Sequence, residues 1–255
     1  MLKVSELSYS YDGKMNVFEN IDFTIQKGEI VGLTGPSGCG KSTLCHLVLA
    51  LLRPSSGRIF FQNRDVFEWK KEGKLQEKIQ LVMQNSETAF DPNRTLGYSL
   101  SEIGRFRKIE MKSLQEKINQ GLRISHLTQD MLSRRPEELS GGQLQRFAIL
   151  RALLMEPELL ILDEVTSMLD PLVQARMIHL LQELKELFDL TYLVISHDLL
   201  LLKHFCNRSI SLESAKDGAF EDGKRGGGIR FEAFSCYETK KAEGRRLHER
   251  IRWRY

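Results

Sequence analysis

The 255-residue sequence has no apolar run long enough to cross a bilayer. Its longest runs, LCHLVLALL from Leu44 and LLILDE from Leu159, reach about half of the roughly 20 residues such a span needs, and the second ends in two carboxylates. The opening MLKVSELSYSY carries one lysine and then alternates polar with apolar residues, with no apolar core or small-residue cleavage site, so a cytoplasmic location is expected. Cysteine is scarce: Cys39, Cys45, Cys206 and Cys236 form neither CxxC spacing nor a disulfide framework, which fits reduced thiols and argues against zinc. Charge of one sign is lacking too. The net charge is +3, and residues 211–255 account for it with 11 Lys+Arg against 8 Asp+Glu, leaving the first 210 residues balanced. A basic end is most simply solvated; contact with acidic lipid or nucleic acid is the functional alternative. What is present, 41% hydrophobic residues, suffices for the core of one large domain or two small ones and excludes a disordered chain.

Short apolar runs bounded by polar residues predict strands over 3–7, 29–33, 58–61, 79–83, 159–162 and 192–195, in the manner of strands buried on both faces of a parallel sheet. Helical spacing covers 42–52, 142–155 and 171–188. In the last of these, Leu172, Val173, Met177, Leu180, Leu181, Leu184, Leu187 and Phe188 form one apolar stripe behind Pro171, which suits a first helical turn. Between Asn85 and Glu138 the chain turns polar and helix-prone, with no convincing strand, and reads as a helical insertion into an α/β core. No internal repeat is visible. After Lys224 a Gly-Gly-Gly run and basic residues without periodicity predict a linker and an irregular end.

Gly35-Pro36-Ser37-Gly38-Cys39-Gly40-Lys41-Ser42-Thr43 satisfies GxxxxGK[ST], between an apolar strand and an amphipathic helix. Such a loop turns backbone N–H groups inward around an anion at the positive end of the helix dipole, and its glycines let phosphate oxygens approach. Lys41 then reaches the β and γ phosphates and Ser42 offers a hydroxyl to Mg²⁺. Asp163 and Glu164 end an apolar strand, where an α/β sheet presents its chemistry; Asp163 suits the metal's coordination shell and Glu164 the polarising of an attacking water. The bland readings are a ligand-free glycine turn and a polar loop. The two motifs in one chain weigh against both.

A second glycine motif, Leu139-Ser140-Gly141-Gly142-Gln143, has no lysine of its own, and as a helix start capped by Ser140 it needs no further explanation. Together with the other motifs, however, it resembles the signature of the ATP-binding cassette (ABC) ATPases, and the rest of that family's pattern follows in order: Tyr11, the cradle, Gln84, the signature, the acidic strand, Ser167-Met168-Leu169-Asp170 and Ser196-His197-Asp198. The resemblance covers about residues 1–210. It implies an α/β P-loop NTPase fold with a mixed sheet core, an inserted helical subdomain at about 85–155 and an N-terminal antiparallel β portion. The ATPase domain would then span 1–223, with a divergent basic tail at 224–255.

The resemblance also implies a head-to-tail dimer, homo- or heterodimeric, in which each ATP lies between one subunit's cradle and the partner's signature. On that pattern Tyr11 stacks on adenine in preference to Tyr9, and residues 35–43 hold the phosphates. Ser140, Gly141, Gly142, Gln143 and Asp170 serve the opposing subunit's site. Gln84 touches Mg²⁺ or the attacking water, Glu164 acts as base, and His197 bonds the γ phosphate; Ser42, Gln84 and Asp163 form the metal set. The other histidines, His46, His126, His179, His204 and His248, carry no such role. The stretch from Gln84 through Asp91-Pro92-Asn93-Arg94-Thr95 is similar to the subfamily serving oligopeptide, dipeptide and nickel or metal-chelate importers. An energy subunit of this kind works at the cytoplasmic face of the membrane with separate permease subunits and, indirectly, a solute-binding protein, with no nucleic acid expected. The alternative is a soluble ABC ATPase acting on ribosomes or nucleic acid. Gly218–Gly223 resembles a family hairpin one residue short, and the subfamily's usual extension is missing.

Overall fold

The computed structural model describes residues 1–167, 169–212 and 229–233, the last as backbone. The expected hairpin at 218–223, Cys236, His248, Met168 and most of the basic end lie outside these residues. In chain order the elements are β1 (Leu2–Ser10), β2 (Asn16–Ile25), β3 (Ile30–Thr34), α1 (Lys41–Val48), β4 (Ser56–Phe61), β5 (Arg64–Asp65), α2 (Val66–Lys71), α3 (Leu75–Lys78), β6 (Ile79–Val82), α4 (Leu96–Arg107), α5 (Met111–Ile124), α6 (Gly141–Leu153), β7 (Leu159–Asp163), α7 (Pro171–Phe188), β8 (Thr191–Ile195), α8 (Leu199–Phe205), β9 (Arg208–Leu212) and β10 (Ile229–Ala233). Two compact units emerge, one from residues 1–79 with the described residues from 191 onward, the other from residues 80–190.

In the first unit β1 lies between β2 and β4, antiparallel to both, and β5 pairs with β4. Leu2 and Val4 are buried, then Leu7 and Tyr9. The switch from even to odd positions is made at Glu6, whose φ of 50° inserts an irregularity in the β1–β2 register. A bulge of this sort re-aims the following side chains without breaking the strand. The same unit holds β10, β9, β3 and β8 side by side, with β3 parallel to β8 and β9 and β10 antiparallel to β9. Ile30, Val31, Gly32 and Leu33 are all buried, as is every residue of β8, the pattern of strands covered on both faces. β10 falls within the stretch expected to be linker and irregular end: backbone pairing from Ile229↔Leu212 to Ala233↔Arg208 makes it a strand, and its five residues, Ile229-Arg230-Phe231-Glu232-Ala233, do alternate apolar with polar, a run short enough to pass unnoticed among basic residues.

α1 stops at Val48, short of the expected residue 52. Ala50 takes φ 53°, and the N–H groups of Leu51 and Leu52 both donate to His46 O at 2.7 and 3.3 Å, a left-handed closure that ends the helix before Pro54.

The second unit places β6 beside β7 and is otherwise helical; residues 85–138 contain helices and 3₁₀ turns and no strand, as expected. A methyl group built on Gly121 would come within 2.1 Å of Leu150 Cδ1, so a residue without a side chain sets how closely α5 and α6 approach. α7 runs over its expected length, with Met177, Leu180, Leu181 and Leu184 buried, but Leu172 is 62% exposed. At about 100° per residue it lies roughly a third of a turn from the centre of the buried face. No helix among the described residues is long and apolar enough to cross a membrane.

One ion cluster ties the helical unit together. Glu156 accepts from Arg107 Nη1 at 2.9 Å and from Lys117 Nζ, with all three side chains under 20% exposed. Burial opposes ionisation of Glu156, yet the bonds from Lys117 and Arg107 outweigh it and hold the carboxyl below its ordinary range. A depressed carboxylate contributes stability that is full above its unfolded pKa, about 4.3, and is lost as pH falls through the folded value. Glu156→Gln should therefore lower unfolding stability in urea by about 2 kcal/mol at pH 7, because it removes the carboxylate that the two largely buried cations share. The gap from wild type should close on acidification below about pH 4. An equal gap at pH 7 and pH 3.5 would assign the loss to packing.

Candidate functional site

The cradle grows from β3. Ile195 is in register with Leu33, so the strand ends of β3 and β8 release residues 35–40 and Ser196-His197 side by side. A Cβ on Gly35 would lie 2.5 Å from Leu212 O at the end of β9, and one on Gly40, at φ 103°, 2.5 Å from Val17 Cγ1 of β2. Backbone on one side and a side chain on the other thus fix the two ends of the loop. Between them Gly38 has φ 78° and nothing within 4 Å of where a Cβ would stand, so this part of the loop is open to an incoming group.

α1 begins at Lys41 with no side chain capping its N-terminus and no acidic residue in its first turn. Helix starts expose N–H groups and the positive end of the dipole, which favour an anion. Lys41 Nζ donates to Gly35 O at 2.7 Å and Pro36 O at 2.9 Å. These neutral acceptors give a phosphate the advantage, since charge-assisted bonds are roughly twice as strong. Ser42 is exposed, Cys39 is buried, and Thr43 Oγ1 shares a hydrogen bond of 2.8 Å with Tyr11 OH. Tyr11 is 67% exposed while Tyr9 is 7% exposed and packs edge-on against it, so the ring tied to the cradle is the one with a free face. His197 is exposed at the end of β8, and the next residue, Asp198, caps α8 by accepting from Leu200 N and Leu201 N at 2.9 and 3.0 Å.

The remaining expected residues belong to the second unit. Asp163 ends β7, and Glu164 follows at φ 49°, a left-handed conformation that costs a non-glycine residue energy and that clusters at working sites. Gln84 Nε2 donates to Ser167 Oγ (2.9 Å), which donates to Glu164 O (2.9 Å), linking the second residue after β6 to the turn after β7. Ser167 was visible in the sequence as part of a motif, but its positioning role was not. The only signal is a serine three residues after the acid, where its hydroxyl can bond back to the turn. Gln145, 4% exposed, is also new: it bonds the Ser86 hydroxyl and donates to Met83 O at 3.5 Å. A cavity of about 380 Å³ lies here, lined among others by Gln84, Gly141, Leu144, Gln145, Glu164 and Leu169.

Ser140 caps α6 in a reciprocal pair: Gln143 N donates to Ser140 Oγ at 3.4 Å and Ser140 N to Gln143 Oε1 at 3.0 Å. A Cβ on Gly142 would meet Val173 Cγ1 at 3.1 Å; one on Gly141 would meet nothing within 4 Å. Packing therefore accounts for the second glycine but not the first. Asp170 caps α7, accepting from Leu172 N and Val173 N at 3.0 Å each. Among the described residues no group of three or more His, Cys, Asp or Glu is arranged to hold a metal by itself. Mg²⁺ does not need one, since it is commonly held by one or two carboxylates plus phosphate oxygens and water. An uncapped cradle and an exposed Ser42 hydroxyl fit that mode of binding.

The family described as ABC transporter matches residues 18–167. The oligopeptide transport ATP-binding protein AppF of Bacillus subtilis is 38% identical over 200 residues, 77% of this chain and 61% of that protein. The nickel import ATP-binding protein NikE of Pseudomonas putida is 38% identical over 214 residues, 80% of this chain and 76% of that one. The chain thus spans less than two thirds of the AppF length. Among solved structures, the dimeric post-hydrolysis state of the ATP-binding cassette MJ0796, bound to ADP and Pi, has a TM-score of 0.74 at 27% identity, covering 93% of this chain and all of that one.

The two glycines make separable predictions for folding. Gly40→Ala meets Val17 at a positive φ and should cost about 1–3 kcal/mol, whereas Gly141→Ala, in open space on a helix, should be neutral or stabilising by about 0.4–1 kcal/mol. Urea midpoints check both. Comparable losses in the two variants would mean that Gly141 is held by packing after all.

Proposed function

Because the chain belongs to the ABC transporter family, with an ATP-binding cassette as its fold, we propose that it is the ATP-hydrolysing subunit of an importer whose permease is a separate membrane chain. The observation that carries the proposal is the pairing of two unlike helix starts in one sequence: α1 open and lysine-bearing, α6 open at Gly141 and without a lysine. The first suits a bound triphosphate. The second suits the γ phosphate of a nucleotide held elsewhere, and the dimeric MJ0796 cassette supports a twin chain as its holder.

In this reading Tyr11 stacks on adenine, residues 35–43 hold the phosphates, and Lys41 neutralises the β and γ oxygens. Ser42, Gln84 and Asp163 would hold Mg²⁺, which would supply charge neutralisation at the γ phosphate. Glu164 accepts a proton from the attacking water, and Ser167 keeps Gln84 and the Glu164 turn in register. His197 bonds the γ phosphate. Ser140, Gly141, Gly142, Gln143 and Asp170 act on the partner's nucleotide in a head-to-tail dimer. On the family pattern the ATPase domain spans 1–223, with 85–155 as its helical subdomain and 224–255 as a divergent tail, except that β10 (Ile229–Ala233) adds a strand to the domain's own sheet. The subunit sits at the cytoplasmic face of the membrane, and its solutes are of the peptide or nickel-chelate class, a choice supported by the names of AppF and NikE. Neither relative's name points to ribosomes or nucleic acid.

Glu164→Gln removes the base and leaves the cradle intact. Phosphate release should fall on the order of 10²–10⁴-fold while filter binding of Mg-ATP is retained, since general-base catalysis contributes about that much. Turnover at the wild-type rate would take Glu164 out of the base role.

A further inference from the structure

A groove of about 470 Å³ between α6 and α7 belongs to no step described so far. Its floor is apolar, made by Val173, Met177 and Leu180, the last two buried. Its rim is basic: Arg146 from α6, Arg176 and His179 from α7, and His126 from the turn after α5, against one carboxylate, Glu183 of α7. Arg146 is pinned by neutral acceptors only, donating from Nε to Gly142 O at 3.1 Å and from Nη1 to Ser125 O and His126 O at 3.2 and 3.3 Å. Its charge is pushed toward the neutral form first by burial and then by the like charge of Arg176. Neither Arg176 nor the His126 and His179 rings make a hydrogen bond or ion pair among the described residues.

Two guanidinium groups that line one groove, one of them half-buried, are stabilised by an oxyanion placed between them. The volume falls in the range of small-molecule sites, and the apolar floor asks for more than an inorganic ion. We propose that this groove binds a small amphiphilic anion, its carboxylate or phosphate head between Arg146 and Arg176 and its apolar body over Val173, Met177 and Leu180. The Arg146 bond to Gly142 O and the contact of Val173 with Gly142 place such a ligand directly behind the signature loop. That it thereby changes ATP turnover rests on the function proposed above.

The test titrates the full chain, without nucleotide, with octanoate, octyl phosphate and octanol in an isothermal calorimeter. Both anions should bind saturably at one site and octanol should not; Arg176→Glu, on an exposed side chain, should weaken both anions at least tenfold while leaving the thermal midpoint unchanged. The two head groups show which oxyanion is preferred. No saturable binding, equal binding by octanol, or affinity unaltered in Arg176→Glu would overturn the site, as would flotation with anionic phospholipid vesicles in the absence of binding to the monomeric amphiphiles. Phosphate release is then measured with and without octanoate. Saturable binding by a chain that hydrolyses no ATP even with permease present would break the earlier reading and leave this one standing, whereas binding with unchanged turnover would overturn the link to the signature loop.

Discussion

A helix cannot satisfy its own first N–H groups, and at α1 no side chain supplies the missing acceptor. The surrounding unit is arranged to keep that start in place. β3, paired on both sides by β8 and β9, delivers the chain to the spot; Leu212 O closes in on Gly35 and Val17 and Phe18 close in on Gly40, so both ends of the loop are fixed while Gly38 stays open. Donors held in this way pay no reorganisation when charge arrives, which is what an electrostatic site requires.

Helix starts recur at several of the proposed functional residues, though not at Tyr11, Gln84, Asp163 or Glu164. Ser140 begins α6, Asp170 begins α7, and Asp198, next to His197, begins α8. Each caps its helix with a side-chain hydrogen bond, so a structural reason for these residues stands beside the roles proposed for them. α6 differs in one respect. A Cβ on Gly142 would press on Val173, whereas one on Gly141 would meet nothing within 4 Å among the described residues.

Legibility in the sequence followed locality. The cradle, the signature and the acidic strand end are contiguous, and β3, β7 and β8 stood out because burial on both faces produces unbroken apolar runs. α7 was readable from Pro171 and its stripe, although Leu172 lies off the buried face. β2 was not readable: its alternation breaks at Asn20, where φ is 51°. α1 was read too long because Ala50 takes a left-handed turn with no glycine or asparagine to signal it. The Gln84–Ser167–Glu164 link and the buried Gln145 join residues about 60 to 80 positions apart, a separation that local patterns do not carry. The basic groove between α6 and α7 escaped for the same reason, since its residues acquire meaning only when three elements meet.

The central claim is that a cradle and a signature from one chain serve different nucleotides. Mixing a Lys41→Ala chain with a Ser140→Ala chain tests it most directly, with formation of the mixed dimer verified by two affinity tags and permease present. Each variant alone lacks turnover; in the mixed head-to-tail dimer one composite site carries both lesions and the other carries neither. The account predicts that mixing restores phosphate release. If mixed dimers form and turnover stays absent, the cradle and signature of a single chain act on the same nucleotide, and the account is contradicted.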